Sequence, residues 1–368
     1  MNRRNFIKTG IGASVAGAMS AGLIPDMNAA AYASTQLQPS DDEEIPPVIL
    51  KNQDFAWVRG FNYQPGYSGD SGGYDDGTAW DIWRNLRLDI IERQLSRAVE
   101  LYPKMTALRI WLPYNIWLAQ PKKFMKDLTG YIGIIRKLKL RAMVMMFNAW
   151  HGTPDFGGFR RETFVALKPE QLKKTFAFAD ELLKRFGDDP TVFSWDLCNE
   201  PELPDIFEPY FVWLDNLYAH IKEKYPKSVL TVGVTDVPSL KRVEKISDVF
   251  GPRLYMIPES NNKADVSKYK KWTNNIFAYI NSTGKPVINT ETGWPRGDDG
   301  KARAEDGLRN ELGWMNACGA GWLIHALYES PVADIHRSSD GPKGVGWMSC
   351  INKDGTIREG HEIINDFL

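Results

Sequence analysis

The sequence predicts an α/β domain of the (β/α)8 barrel class, and three observations carry that prediction. Short β-rich apolar runs alternate with amphipathic helical patterns, the order expected of parallel strands joined by helical crossovers. The alternation repeats eight times after residue 51 with no linker-like break, so one domain is expected from 52 to 368. The turn after the first run, GFNYQPGYSG, lacks the G-x-G-x-x-G spacing that an open doubly wound sheet would place there.

In chain order the strand candidates are WVRGFNY from Trp57, TALRIWL from Thr106, RAMVMMFN from Arg141 and VFSWDLC from Val192, followed by SVLTVGV from Ser228, PRLYMIP from Pro252, PVINTE from Pro286 and AGWLIHAL from Ala320. Helical patterns lie between them at Asp81–Leu101, Lys126–Leu138, Pro169–Phe186, Glu208–Lys224, Pro238–Ile246, Asp265–Ile280 and Ala302–Met315, with a last one at Glu359–Phe367. In the third, Leu172, Phe176, Ala179, Leu183 and Phe186 recur at helical spacing and predict its buried face. The insertion GYSGDSGGYDDGTAW, Gly66 to Trp80, exceeds a usual βα loop and reads either as a cleft wall or as a surface loop.

The first residues read as an address. Arg3 and Arg4, then Phe6 and Lys8, a Gly/Ala-rich weakly apolar stretch, and Ala31-Tyr32-Ala33 before Ser34 follow the order of a secretory signal over 1–33, similar to the twin-arginine type. Export to the periplasm or the medium is expected, with no membrane span in the mature chain. Residues 34–51, polar and proline-containing with a DDEE patch, read as a linker.

Composition narrows the partners. A net charge of −1 with interspersed signs gives no field for nucleic acid. The 13 tryptophans and 14 tyrosines suit half-buried places, of which sugar-binding clefts are one and ordinary core packing another. Cys198, Cys318 and Cys350 leave at least one thiol unpaired and read as buried small hydrophobes; Cys198 has no evident histidine partner. The five histidines show no ligand spacing, so no metal and no other cofactor is called for. No strand candidate runs directly into a G-x-S-x-G elbow, which argues against a serine triad. A monomer is the default for such a barrel.

Catalytic side chains of a barrel sit at the C-terminal strand ends. Those ends read Asn62 and Tyr63; Arg109 and Trp111; Asn148, Trp150 and His151; Asn199 and Glu200; then Asp236, Tyr255, Glu291 with Trp294, and His325 with Tyr328. Two carboxylates, Glu200 and Glu291, thus terminate apolar runs on the fourth and seventh strands. Such a pair suits glycosidic cleavage, one group protonating the departing oxygen while the other attacks the anomeric carbon or activates water. A separation of about 5–5.5 Å implies retention and one of about 6.5–9.5 Å inversion, a distance the sequence does not measure.

SWDLCNEP together with INTETGWP resembles glycoside hydrolase clan A, in particular the cellulase and mannanase family 5, over nearly the whole chain after the leader. The resemblance implies Glu200 as acid/base and Glu291 as nucleophile of a retaining mechanism on a β-linked oligo- or polysaccharide, mannan- or glucan-like. LRIW at Leu108 is similar to the family's second-strand motif, which implies that Arg109 orients the nucleophile. The same comparison implies that Asn199 holds a sugar 2-hydroxyl, that Tyr255 bonds the nucleophile, and that the loop FNAWHGTPDFGG brings Trp150 to the glycone side. His151 has two readings, a sugar contact or a loop-orienting group.

Two positions depart from the pattern. Arg253 stands where the family commonly shows a histidine, and the expectation is a structural pairing with Asp248, the alternative being recognition of an acidic sugar. His325 lies near the usual platform tryptophan, with Trp322 expected in the barrel core and Trp294 expected to supply the stacking face. These departures keep two other readings open: a glycan-binding barrel with little catalysis, and a transglycosylase using the same carboxylates. Sugar identity, linkage and endo or exo action stay open.

Overall fold

A computed structural model describes residues 44–65, 79–149, 164, 165, 167–202, 206–256, 263–293, 301–330 and 348–368. Glu44 to Leu368 form one compact unit. Among the described residues no helix is long and apolar enough to cross a membrane.

All eight expected strands form: β1 (Arg59–Tyr63), β2 (Ala107–Trp111), β3 (Arg141–Met145), β4 (Val192–Asn199), β5 (Leu230–Val234), β6 (Gly251–Pro252), β7 (Ile288–Thr292) and β8 (Gly321–Ile324). They pair in parallel in the order β6-β5-β4-β3-β2-β1-β8-β7. Parallel bridges Phe250↔Val287 and Arg253↔Glu291 then join β6 to β7 and close the ring. Closure leaves no edge strand, and it carries each strand's last residue to one common mouth. β6 is two residues long where the sequence predicts seven; beyond Pro252 its pairing with β7 continues only as the isolated bridge Arg253↔Glu291, where Leu254 N–H donates to Glu291 O at 3.1 Å and to Asn289 Oδ1 at 3.0 Å.

The helices follow prediction with three adjustments. The first pattern splits into α1 (Ala79–Arg84) and α2 (Leu88–Leu101), and an unpredicted short helix, α3 (Tyr114–Ala119), precedes α4 (Pro121–Lys137). Then come α5 (Pro169–Phe186), α6 (Glu208–Lys224), α7 (Val237–Val243), α8 (Lys263–Thr283) and α9 (Lys301–Cys318). The C-terminal pattern becomes a 3-10 turn at Glu362–Asp366. On α5 the buried face centres on Phe178, Ala179, Leu182 and Phe186, with Leu172 and Phe176 only partly buried, a rotation of the stripe that tertiary packing sets. Asp236, a strand-end residue, caps α7 by accepting from Ser239 N–H at 2.8 Å.

Side chains alternate between the helical layer and the barrel interior. Val58, Ala107, Met143, Phe193, Val249, Ile288 and Leu323 form a separate apolar plug inside the barrel. Trp322, adjacent to Leu323, therefore faces outward, and the expectation that it enters the barrel core is corrected: its Nε1 donates to Asn316 Oδ1 of α9 at 2.9 Å. Gly60 on β1 has no room for a side chain, since a Cβ there would lie 1.8 Å from Ala107 O. The expected linker over 34–51 also ends early. Leu50 is buried and its N–H donates to Cys318 O at 2.9 Å, while Val48 N–H donates to Asn274 Oδ1 at 3.0 Å, so the chain from Glu44 onward is docked on the barrel by main-chain hydrogen bonds its polar composition does not reveal.

Candidate active site

Above the apolar plug the interior turns polar. Arg109, pointing inward from β2, is fully buried and takes up the centre. Its Nε and Nη2 donate to Asp196 Oδ2 at 3.0 and 2.6 Å, and its Nη1 donates to Asn62 Oδ1 at 2.8 Å. Nη1 also donates to Glu291 Oε1 at 2.6 Å, and Nη2 to Asn199 Oδ1 at 2.8 Å. One guanidinium thus gathers residues from β1, β4 and β7. A buried cation of this kind is tolerated because two carboxylates and two amide oxygens saturate its fork.

Strict strand alternation would not bring these groups together. Asp196 and Asn199 are three residues apart and would face opposite sides of β4, yet both reach Arg109. The pairing of β4 with β5 shifts register between Asp196 and Asn199, and that irregularity rotates Asn199 inward. The β7–β8 pairing shifts between Asn289 and Thr292, and Glu291 points inward although Ile288, three residues earlier, does too. Both strands that carry the carboxylates are re-aimed in the same way.

Glu291 is held by three neighbours. Arg109 binds Oε1, the Tyr255 hydroxyl donates to Oε2 at 2.9 Å, and the strand-end backbone bridges to Arg253. Burial would raise its carboxyl, but Arg109, Arg253, His325 and the Tyr255 hydrogen bond outweigh it and hold the group down to about 2. Tyr255 is pushed well above the ordinary phenol range by burial and by the Glu291 charge, so it keeps the proton it donates.

Glu200 sits one residue past β4 with φ of +52°, a left-handed conformation that few non-glycine residues adopt and that clusters at functional sites. The side chain is 15 % exposed and forms an ion pair with Arg253 Nη1. Burial raises its carboxyl, Arg253 pulls it back, and the negative charges of Glu291 and Glu202 raise it again, leaving it at about 7. The ion pair and the upward shift pull in opposite senses, and desolvation with two carboxylate neighbours prevails over one cation. Glu200 is thus poised to hold or release a proton near neutrality.

Arg253 meets carboxylates that its sequence position did not predict. The expected Asp248 partner instead binds Lys222 at 2.7 Å, the Tyr218 hydroxyl at 3.0 Å and Leu230 N–H at 2.9 Å, so the predicted pairing is corrected. Arg253 lies one residue beyond β6, between the two carboxylate strands. Its guanidinium meets Glu200, and its Nη2 lies 3.6 Å from Glu202 Oε1. Glu202 is itself buried and accepts from the Thr235 N–H and hydroxyl at 2.7 and 2.9 Å. The available signal was its spacing, two residues before Tyr255, which put Arg253 at the same strand end.

Of the other candidates, Asn199 is buried with its amide donating to Asn148 Oδ1 at 3.1 Å and its orientation set by Arg109. His325, 6 % exposed, stacks on Trp111 with ring centroids 5.6 Å apart, and the peptide that follows it is cis. Trp111 in turn donates from Nε1 to Asn62 Oδ1 at 3.1 Å. Tyr63 and Tyr328 point away to α2, where their hydroxyls donate to Gln94 Oε1 at 2.7 Å and Gln94 O at 3.1 Å. Cys198 is buried and burial pushes its thiol well up, so it stays protonated. Trp150, His151, Trp294 and the Gly66–Thr78 part of the long insertion lie outside the described residues.

Glu311 on α9 belongs to the site's support and was not expected from sequence. Fully buried, it accepts from Gly293 N–H at 3.1 Å, from the Thr292 hydroxyl at 3.1 Å and from Met256 N–H. It therefore ties the residue after Tyr255 to the two after Glu291. Gly293 takes φ of +140° there, where a Cβ would come within 3.0 Å of His325 O.

A closed parallel barrel with an ionised and a proton-carrying carboxyl three strands apart at its C-terminal mouth defines a class of barrel equipped for acid–base and nucleophilic chemistry. Solved structures with the same fold include an exo-β-1,4-mannosidase, Op5Man5, from Opitutaceae bacterium strain TAV5, at 16% identity and a TM-score of 0.64 over 84% of this chain and 58% of that one. A GH5_18 protein from Streptomyces cattleya in complex with Manβ1-4GlcNAc aligns at 14% identity and a TM-score of 0.62, covering 84% of this chain and 79% of that one. A family 5 mannosidase from Rhizomucor miehei aligns at 16% identity and a TM-score of 0.56, covering 87% and 92%. The chain thus spans a little over half the length of the first. No protein-family model and no curated protein matches the sequence.

Proposed function

We propose that this chain is an exported retaining glycoside hydrolase that cleaves a β-linked, mannan- or glucan-like glycan. The observation that carries the reading is the split between two buried carboxyl groups in one mouth, Glu291 held down to about 2 and Glu200 raised to about 7. Between those values one is a nucleophile and the other an acid. The mannosidase and Manβ1-4GlcNAc descriptions of structures sharing the fold support a β-mannoside as the first substrate to try. Export rests on the twin-arginine-like leader.

The steps follow from the charges. Glu291 attacks the anomeric carbon and the bond to the departing oxygen breaks as Glu200 delivers its proton to that oxygen. Asn199, aligned by Arg109 and Asn148, faces the sugar beside Glu200 and donates or accepts at its 2-hydroxyl. Water then attacks the anomeric carbon, Glu200 accepts the water's proton, and the ester electron pair returns to Glu291.

The deciding experiment is hydrolysis of 2,4-dinitrophenyl β-mannoside and β-glucoside and of β-mannan and β-glucan, followed by proton NMR of the first anomer formed. Retention with loss of turnover in Glu291→Ala supports the reading; an inverted first product or full turnover in that variant sinks it. The Arg253–Glu200 ion pair favours a second reading, a glycan-binding barrel whose acid is neutralised. Binding of the same glycans without turnover would select it.

A further inference from the structure

We infer that Arg253 is a positioning residue that holds Glu200 in its base form during the second half of the reaction, with Glu202 sharing the guanidinium while Glu200 carries its proton. This inference rests on the proposed retaining mechanism. Three geometric facts carry it. Arg253 is 2 % exposed and its guanidinium forms its ion pair with Glu200, not with Glu291. Among the described residues its Nε and Nη2 have no hydrogen-bond partner and its Nη1 donates to Asn199 Oδ1 only at 3.5 Å, so the guanidinium is held less tightly than that of Arg109. Glu202, with its Oε2 also lacking a hydrogen-bond partner, lies 3.6 Å from Nη2 as a second, looser anion.

The charge sequence explains the arrangement. In the free enzyme Glu291 is the anion and Glu200 carries a proton. Forming the glycosyl–Glu291 ester consumes the Glu291 charge, and proton transfer to the departing oxygen creates one on Glu200, so the total is unchanged while the negative charge moves from Arg109 toward Arg253. In the second step Glu200 must remain unprotonated until water attacks. The groups that face it are Arg253 from beyond β6, Glu202 from the turn after β4, and Glu291 with Tyr255 across the mouth. With Glu291 esterified, the remaining anion beside Glu200 among the described residues is Glu202, which favours recapture of a proton from solvent, and Arg253 is the cation among them that opposes this. Buried charges at this range move a carboxyl by about one to three pKa units, enough to decide protonation near neutrality.

The test uses the full-length enzyme and three variants, Arg253→Gln, Arg253→Lys and Glu202→Gln. On 2,4-dinitrophenyl β-mannoside, whose leaving group needs no proton, Arg253→Gln at pH 6 should lose about tenfold in kcat while KM falls in step, keeping kcat/KM within about twofold. It should release an initial burst of dinitrophenolate equal to the enzyme present, the sign of an accumulating glycosyl-enzyme. Arg253→Lys should restore part of kcat. The Glu200 carboxyl, followed by carbon-13 NMR, should titrate about one unit higher in Arg253→Gln and lower in Glu202→Gln. A merely structural arginine would instead lower kcat and kcat/KM together, with no burst and no opposed shifts, and that result overturns the inference. If wild type cleaves none of the aryl glycosides, the hydrolase reading fails; the opposed titration shifts still report separately on whether Arg253 and Glu202 set the charge of Glu200.

Discussion

The two walls of the mouth make an instructive comparison. Each carries one of the two facing glutamates, Glu291 and Glu200, and each of these forms an ion pair with one arginine, yet Glu291 is held at about 2 and Glu200 at about 7. The difference lies in what else each arginine and each carboxyl sees. Glu291 collects Arg109, a share of Arg253, and the Tyr255 hydroxyl. Glu200 has Arg253 alone and faces two other carboxylates, so its one cation only moderates what burial and repulsion do. Charge state here follows from the count of neighbours of each sign, not from the presence of a salt bridge.

The largest expected effect breaks the Glu291 wall. Glu291→Gln keeps the shape and removes the nucleophilic charge, and kcat should fall by at least about 10⁴-fold while the circular dichroism spectrum is unchanged. Next comes its counterion. Arg109→Met leaves Asp196 buried without its partner and should cost about 3–5 kcal/mol in urea unfolding, compared with near-neutral changes at exposed pairs such as Arg87–Asp89.

On the other wall, Glu200→Gln should cost about 10²–10⁴-fold on substrates with poor leaving groups and much less for first-step cleavage of a dinitrophenyl glycoside. The wild-type pH profile of kcat/KM should rise with ionisation of Glu291 near 2 and fall as Glu200 loses its proton near 7; a profile flat through pH 9 would separate Glu200 from the acid role.

The smallest expected effect sharpens the comparison from below the mouth. Glu311 is a buried carboxyl without an ion pair, and burial pushes it up to about 8 from an ordinary 4.5. Its folded-state value is raised, so its contribution is full below about 4.5 and is lost as pH rises through 8. Unfolding free energy should decline over that window in wild type and less so in Glu311→Gln, while at neutral pH Glu311→Ala should cost about 1–3 kcal/mol from unsatisfied Gly293 and Met256 amides.

Much of the fold was legible because a barrel strand is short, apolar and periodic, and each expected strand lies within a few residues of an observed one. Helix boundaries were legible where proline marks the first turn, as at Pro169 in α5, while the cap that Asp236 gives α7 emerged only in the structure. The split after Arg84 was not legible, since the local pattern continues across it, and neither was the six-residue helix over Tyr114–Ala119, too short to show a helical period. The main-chain docking of residues 48–50 was also hidden, because polar composition says nothing about which amides a neighbouring strand or helix will bond.

At the site, residue type and strand-end position singled out Glu200, Glu291, Arg109, Asn199 and Tyr255, which the structure brings into one cluster, because a carboxylate closing an apolar run has few inexpensive reasons to be there. Three-dimensional pairing decided the rest. The register shifts on β4 and β7 that turn Asn199 and Glu291 inward depend on the neighbouring strand, so no single-strand alternation could reveal them. The destination of Arg253 was equally non-local: Asp248 is five residues away in sequence, but Glu200, fifty-three residues away, is the carboxylate the closed barrel brings to it. Sequence determined which groups exist and that they gather at one mouth. The tertiary structure alone decided which cation faces which anion, because long-range electrostatic partners are set by ring closure and strand register.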